Sequence, residues 1–85
     1  MRNLYYVYVL KSLKNNKRYI GYTTKKPEER LGEHNTGSNA FTRRNGPFEL
    51  IYSEKHKDKI FARKRERFLK SGYGRIFLEK TLKDI

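Results

Sequence analysis

The chain has 85 residues, of which 35% are hydrophobic, 35% charged and 14% aromatic, and its formal net charge is +12. That length allows a single domain, residues 1–85, whose small core hides only about 60–65% of the unfolded surface. Without cysteine there are no disulfide staples or thiolate zinc sites, and two histidines, His34 and His56, are too few to build a metal centre. No apolar run approaches the roughly 20 residues that a membrane span needs. The positive surplus points to a polyanionic partner, nucleic acid before a membrane surface. With no signal-peptide layout at the N-terminus, a cytoplasmic location is expected.

Leu4-Tyr5-Tyr6-Val7-Tyr8-Val9-Leu10 is continuous apolar and aromatic sequence, which predicts a central strand covered on both faces. Leu4, Tyr6, Tyr8 and Leu10 share one face, with Tyr5, Val7 and Val9 on the other. Lys14-Asn15-Asn16-Lys17 is turn chemistry, since asparagine tolerates positive φ, and Arg18 to Thr23 returns antiparallel as a second strand. Pro27-Glu28-Glu29 marks a helix start, and Gly37 offers a left-handed end for that helix. From Gly37 to Pro47 the small and polar residues read as an exposed loop carrying Arg43 and Arg44. A third strand is predicted over Phe48 to Ser53, with Phe48, Leu50 and Tyr52 on one face. Asp58 opens a helix that runs to about Lys70 with Phe61, Ala62, Phe68 and Leu69 as its apolar stripe. A last short helix is expected from Tyr73 to Leu82, holding Ile76, Phe77 and Leu82.

Four residues in this frame carry chemistry suited to a phosphate. The hairpin brings Tyr8 and Tyr19 together, and one helical turn sets Arg30 beside His34. A free tyrosine has a pKa near ~10, so about one in a thousand is ionised at neutral pH, and nearby cations favour the charged form and lower that value. Such a phenol serves as general base toward a water, or holds it. The planar fork of Arg30 gives a phosphate two parallel hydrogen bonds, and His34 can relay a proton. At about 100° per residue, Glu66 falls roughly 40° from Ala62 and 60° from Leu69, on the shoulder of the buried face toward the sheet's edge. Its carboxylate is a hard ligand suited to Mg²⁺ or Mn²⁺. Each of these residues also has a plain structural reading: tyrosines as core, Arg30 and His34 as a solvated helix face, Glu66 as a balance for Arg63, Arg67 and Lys70.

In combination they resemble a GIY-YIG endonuclease domain, in the form of small stand-alone bacterial proteins similar to the N-terminal incision domain of the bacterial excinuclease. Tyr6-Val7-Tyr8 stands for the first motif and Tyr19-Ile20-Gly21 for the second. Arg30, His34 and Glu66 within Ala62-Arg63-Lys64-Arg65-Glu66 match the family's arginine, helix histidine and metal-binding glutamate. Asn35-Thr36-Gly37, Thr42-Arg43 and Gly46-Pro47-Phe48-Glu49-Leu50 also resemble this subgroup, and the likeness runs from Tyr5 to about Leu78.

The resemblance implies an α+β fold, a small three-stranded antiparallel sheet flanked by about three helices. It also implies hydrolysis of phosphodiester bonds with one divalent metal ion, Mg²⁺ or Mn²⁺, acting on DNA more than RNA, in DNA repair or recombination. By that analogy Tyr8 is the base or water-positioning group and Tyr19 its partner. Arg30 is then the phosphate clamp, His34 the proton relay and Glu66 the metal ligand. Backbone contacts are expected from Lys11, Thr23, Arg43, Arg44, Arg63 and Arg67. Two departures stand out: Tyr6 occupies a motif glycine, and no asparagine occurs from Arg67 to Ile85. The missing asparagine, together with Arg43, Arg44, Arg63, Arg67 and Lys70, motivates the alternative, a non-catalytic nucleic-acid-binding module on the same scaffold.

Overall fold

The apolar run near the N-terminus becomes the middle of the sheet. In the computed structural model, which describes residues 4–37 and 39–83, strand β1 (Tyr5–Ser12) pairs antiparallel with β2 (Arg18–Thr23) and with β3 (Phe48–His56). The order is therefore β2-β1-β3. Among the described residues four helices complete the unit: α1 (Pro27–Asn35), α2 (Ala40–Asn45), α3 (Lys59–Lys70) and α4 (Gly72–Thr81). Val7, Val9, Ala62, Leu69 and Leu78 form the core between the sheet and α3 and α4. Tyr8, Leu10 and Phe48, with Tyr19, Leu31 and Phe41 packed on them, form the core of the opposite face, under α1 and α2. The α+β fold and the two-sided burial of β1 are thus as the apolar run predicts.

Local chemistry explains the element ends. Asn16 takes φ 65° in the hairpin turn, and Gly37 takes φ +84° after α1. The Glu29 carboxylate accepts the Lys26 N–H at the start of α1, and Asp58 accepts the N–H groups of Ile60 and Phe61 at the start of α3. The Asn35 side chain both donates to the Phe48 carbonyl and accepts the Phe48 N–H, which docks the end of α1 on β3.

Three expectations are corrected. The third strand runs on to His56, and its register shifts between Val9 and Leu10: Val9 faces Tyr52 while Leu10 faces Leu50. Ile51 is the extra residue of a bulge, which breaks the two-residue alternation. Phe48 and Leu50 therefore stay with Tyr8, but Tyr52 joins the Val7 and Val9 side. The expected loop, of which Ser38 lies outside the described residues, contains α2. Asn39 caps it by accepting the Thr42 N–H at 2.9 Å, and Phe41 packs on Tyr19 and Phe48. A helix of six residues is too short to show an apolar period, yet Thr42 and Asn45 are buried in it while Arg43 and Arg44 stay exposed. Finally, Phe61 and Ile76 are 52% and 51% exposed, and Leu78 fills the place expected of Ile76.

Two features fasten α3. Arg65 reaches both oxygens of Glu54 on β3, and Tyr52 and His56 bond the same carboxylate. Burial alone would raise the Glu54 pKa, but these hydrogen bonds hold it down to about 2, whereas burial and the adjacent carboxylate push Tyr52 up to about 12. At the other end, α4 docks through Gly74. A Cβ there would stand 2.1 Å from the Phe68 carbonyl oxygen and 2.4 Å from the Leu69 Cα, backbone atoms that cannot swing aside. Gly74→Ala is expected to cost about 1–3 kcal/mol by forcing α4 off α3. Thermal unfolding should show a drop of roughly 4–8 °C per kcal/mol. A variant that melts with the wild type would show that the helices do not approach this closely.

Candidate active site

Tyr8 lies opposite Gly21 in the β1–β2 ladder, and Tyr19 lies diagonally beside it on the same face. A Cβ on residue 21 would sit 2.7 Å from the Tyr8 hydroxyl, so glycine is what lets the phenol lie across the neighbouring strand. The two phenol rings are 6.3 Å apart. His34 comes up from α1, fully buried, with its ring 4.5 Å from Tyr19 and its Nε2 2.9 Å from the Tyr8 hydroxyl oxygen. One turn earlier, a terminal nitrogen of Arg30 lies 3.3 Å from the same Nε2, while the other terminal nitrogen pairs with Glu33. Lys25 takes the second Glu33 oxygen at 2.5 Å, and these two cations hold the Glu33 carboxyl below its ordinary range.

The direction of the hydrogen bonds follows from donor inventory. A guanidinium has only N–H groups to offer, so Nε2 is the unprotonated ring nitrogen, and the Tyr8 hydroxyl donates to it. Burial, then the Arg30 charge, pushes the His34 pKa down, which keeps the ring neutral at pH 7. The expectation that cations lower the phenol pKa is reversed for Tyr8. It is 1% exposed, and desolvation outweighs the hydrogen bond and charge of Arg30, so its pKa is raised. The result is a protonated phenol aimed at a neutral imidazole, a ready path for one proton.

Glu66, the only acidic residue of α3, sits on the shoulder of the buried face with 18% of its side chain exposed, as its place on the helix predicts. Lys70 pairs with it at 3.1 Å. Its charge reaches the Tyr8 phenol and adds to the upward shift after burial and Tyr19. Among the described residues no three histidine, cysteine, aspartate or glutamate side chains gather as a metal cage. A lone, partly buried carboxylate can hold a hydrated divalent ion that takes its other ligands from water and phosphate.

The residues nominated for backbone contacts are scattered. Lys11 is on the Val9 face, in a depression with Arg18, Glu49 and Lys83, away from the phenols. Thr23 accepts the Lys25 N–H and shapes the turn before α1. Arg43 donates to the Gly37 carbonyl, and Arg44 is exposed at the end of α2. Arg63 lies 5.2 Å over the Tyr22 ring, and Arg67 shares its flank of α3 with Lys59 and Lys64. Sequence reasoning missed Asn39, whose amide reaches the Tyr19 hydroxyl at 3.5 Å. Its signal was there, an asparagine three residues before Thr42 in the pattern of a helix cap.

Comparison with known proteins bears on the whole unit. Residues 4–81 match the GIY-YIG catalytic domain family. A UPF0213 protein of Natronomonas pharaonis is 43% identical over 68 residues, covering 79% of this chain and 78% of that one. A UPF0213 protein of Staphylococcus haemolyticus is 40% identical over 68 residues, 79% of this chain and 80% of its own. The solution NMR structure of a UPF0213 protein from Bacillus halodurans superimposes with a TM-score of 0.56 at 31% identity, covering 92% of this chain and 84% of that chain. Because the match takes in every strand and helix that carries the buried Tyr8–His34 pair, this chain belongs to the GIY-YIG catalytic domain family, a family of nucleases, beside the small UPF0213 proteins.

Proposed function

We propose that this protein is a metal-dependent endonuclease that hydrolyses phosphodiester bonds, in DNA before RNA. The observation that carries the reading is the chain Tyr8–His34–Arg30, with Tyr19 beside it and Glu66 within electrostatic reach. A substrate phosphate competes with Glu33 for the Arg30 fork, where it gains two charge-assisted hydrogen bonds. With Arg30 turned to the phosphate, Nε2 of His34 loses its second donor, and the anion offsets the charge that depresses the imidazole pKa. The Tyr8 proton then passes to His34 as the phenol takes one from the attacking water. Arg30 stays on the phosphoryl oxygens as their charge grows. Glu66 would hold the divalent ion, which when bound supplies neutralisation of the phosphoryl and leaving oxygens. Repair or recombination is the setting that the resemblance to the excinuclease incision domain supports.

The test is incubation with single-stranded, branched and duplex DNA, and with RNA, in Mg²⁺, Mn²⁺ or EDTA. Cleavage with either ion and none in EDTA is expected. Full activity in EDTA overturns the metal role. The burial of Tyr8 favours a second reading, a non-catalytic nucleic-acid-binding module. Its outcome is binding that falls by about 0.9 log unit per log unit of salt for each phosphate neutralised, with no cleavage of any substrate.

A further inference from the structure

Beside Tyr19, two adjoining depressions wrap the edge strand β2. One, of about 420 Å³, is lined by Arg18, Tyr19, Ile20, Phe41 and Lys70. The other, of about 230 Å³, shares Arg18, Ile20 and Lys70 and continues to Arg75. Strand alternation puts Tyr19 on the α1 side of the sheet and Arg18 and Ile20 on the α3 side, so the trough crosses the sheet edge. Its wall is aromatic, with the Tyr19 and Phe41 rings 5.8 Å apart and both half-buried. Its rim is cationic: among the described residues Arg18 and Arg75 have no ion-pair partner, and the Lys70 ammonium pairs with Glu66.

An aromatic wall with cations along its rim matches one kind of ligand, a flat apolar ring joined to phosphate. We propose that the trough is a nucleotide subsite that takes an unpaired nucleotide next to the phosphate held at Arg30. This rests on the nuclease reading of the Arg30 site and adds the substrate class. The base lies against Tyr19 and Phe41, its phosphate meets Arg18 and Lys70, and the next phosphate reaches Arg75. Aromatic platforms of this kind accept any base, because every base has a π-face. A base inside a duplex is stacked and paired and cannot reach the wall without being extruded. The favoured substrates are therefore single strands and locally unpaired positions, and continuous duplex is disfavoured.

The experiment is binding of oligonucleotides carrying 2-aminopurine, read by fluorescence in EDTA so that turnover plays no part. Single-stranded probe should be quenched on binding and held more tightly than duplex. Phe41→Leu keeps apolar bulk but removes the platform; it should lose most of the quench and about 5- to 100-fold in single-strand affinity. Because Phe41 also packs on Phe48, Arg18→Ala is the companion variant. It should lower the salt slope for single strands by about 0.7. Equal affinity for duplex and single strand overturns the subsite, as does an unchanged quench in Phe41→Leu or an unchanged slope in Arg18→Ala. A protein that binds as expected but cleaves nothing retains the subsite and removes the hydrolase. Cleavage of duplex and single strand at one rate does the reverse.

Discussion

Glu66→Ala should leave nucleic-acid binding intact and remove metal-dependent cleavage, by about 10³-fold in single-turnover rate, the size of a lost metal contribution of several kcal/mol. No other acid on α3 can take its place. The substitution frees Lys70 from its ion pair and removes a negative charge beside the phenols, so binding in EDTA should hold or tighten slightly. Folding should be unaffected, because alanine suits a helix interior and the side chain is not in the core. The split between rate and affinity is the diagnostic. A variant that cleaves at the wild-type rate would remove Glu66 from the mechanism, and one that loses affinity as well would make it a structural residue.

Tyr8→Phe carries the second large effect, about 10²–10⁴-fold in rate, the range of a lost general acid–base group. The ring remains to fill the space over Gly21, and the imidazole keeps its Arg30 contact, so the stability cost should stay near about 1 kcal/mol, one buried hydrogen bond. A pH profile separates a proton path from mere packing. The wild type needs neutral His34 as acceptor. In the free enzyme burial, then Arg30, lowers that pKa, so kcat/KM should persist below the ordinary histidine range and fall only as the pH drops through the depressed value. Tyr8→Phe should flatten that acid limb. Tyr19→Phe is the control: its hydroxyl has only the 3.5 Å contact to Asn39 among the described residues, and it should keep the limb. A Tyr8→Phe enzyme with unchanged rate and limb would take the phenol out of the reaction.

Local rules of propensity, capping and periodicity carry a good part of this architecture. A seven-residue apolar run specifies a strand buried on both faces, Asn16 a turn, Pro27 and Asp58 the starts of helices, and Glu66 a place on the shoulder of its helix. Each depends on residues within a few positions of one another, so periodicity and capping chemistry suffice. The five central residues could be nominated because their types suit phosphate chemistry and because they resemble a known motif set.

The tertiary structure decided the rest, because it depends on partners far apart in the chain. The Ile51 bulge exists only against β1, and it alone sends Tyr52 to the opposite face from Leu50. That move puts Tyr52 with Glu54, His56 and Arg65 in a closed ionic cluster no local pattern announces. α2 depends on a buried wall from Tyr19 and Phe48 more than on its own six residues. Burial, a property of the assembled sheet and α1, reversed the direction of the Tyr8 shift that neighbouring charges alone would give. The trough across β2 likewise appears only on folding, since Arg18 and Tyr19 are neighbours in the sequence but Phe41, Lys70 and Arg75 come from α2, α3 and α4.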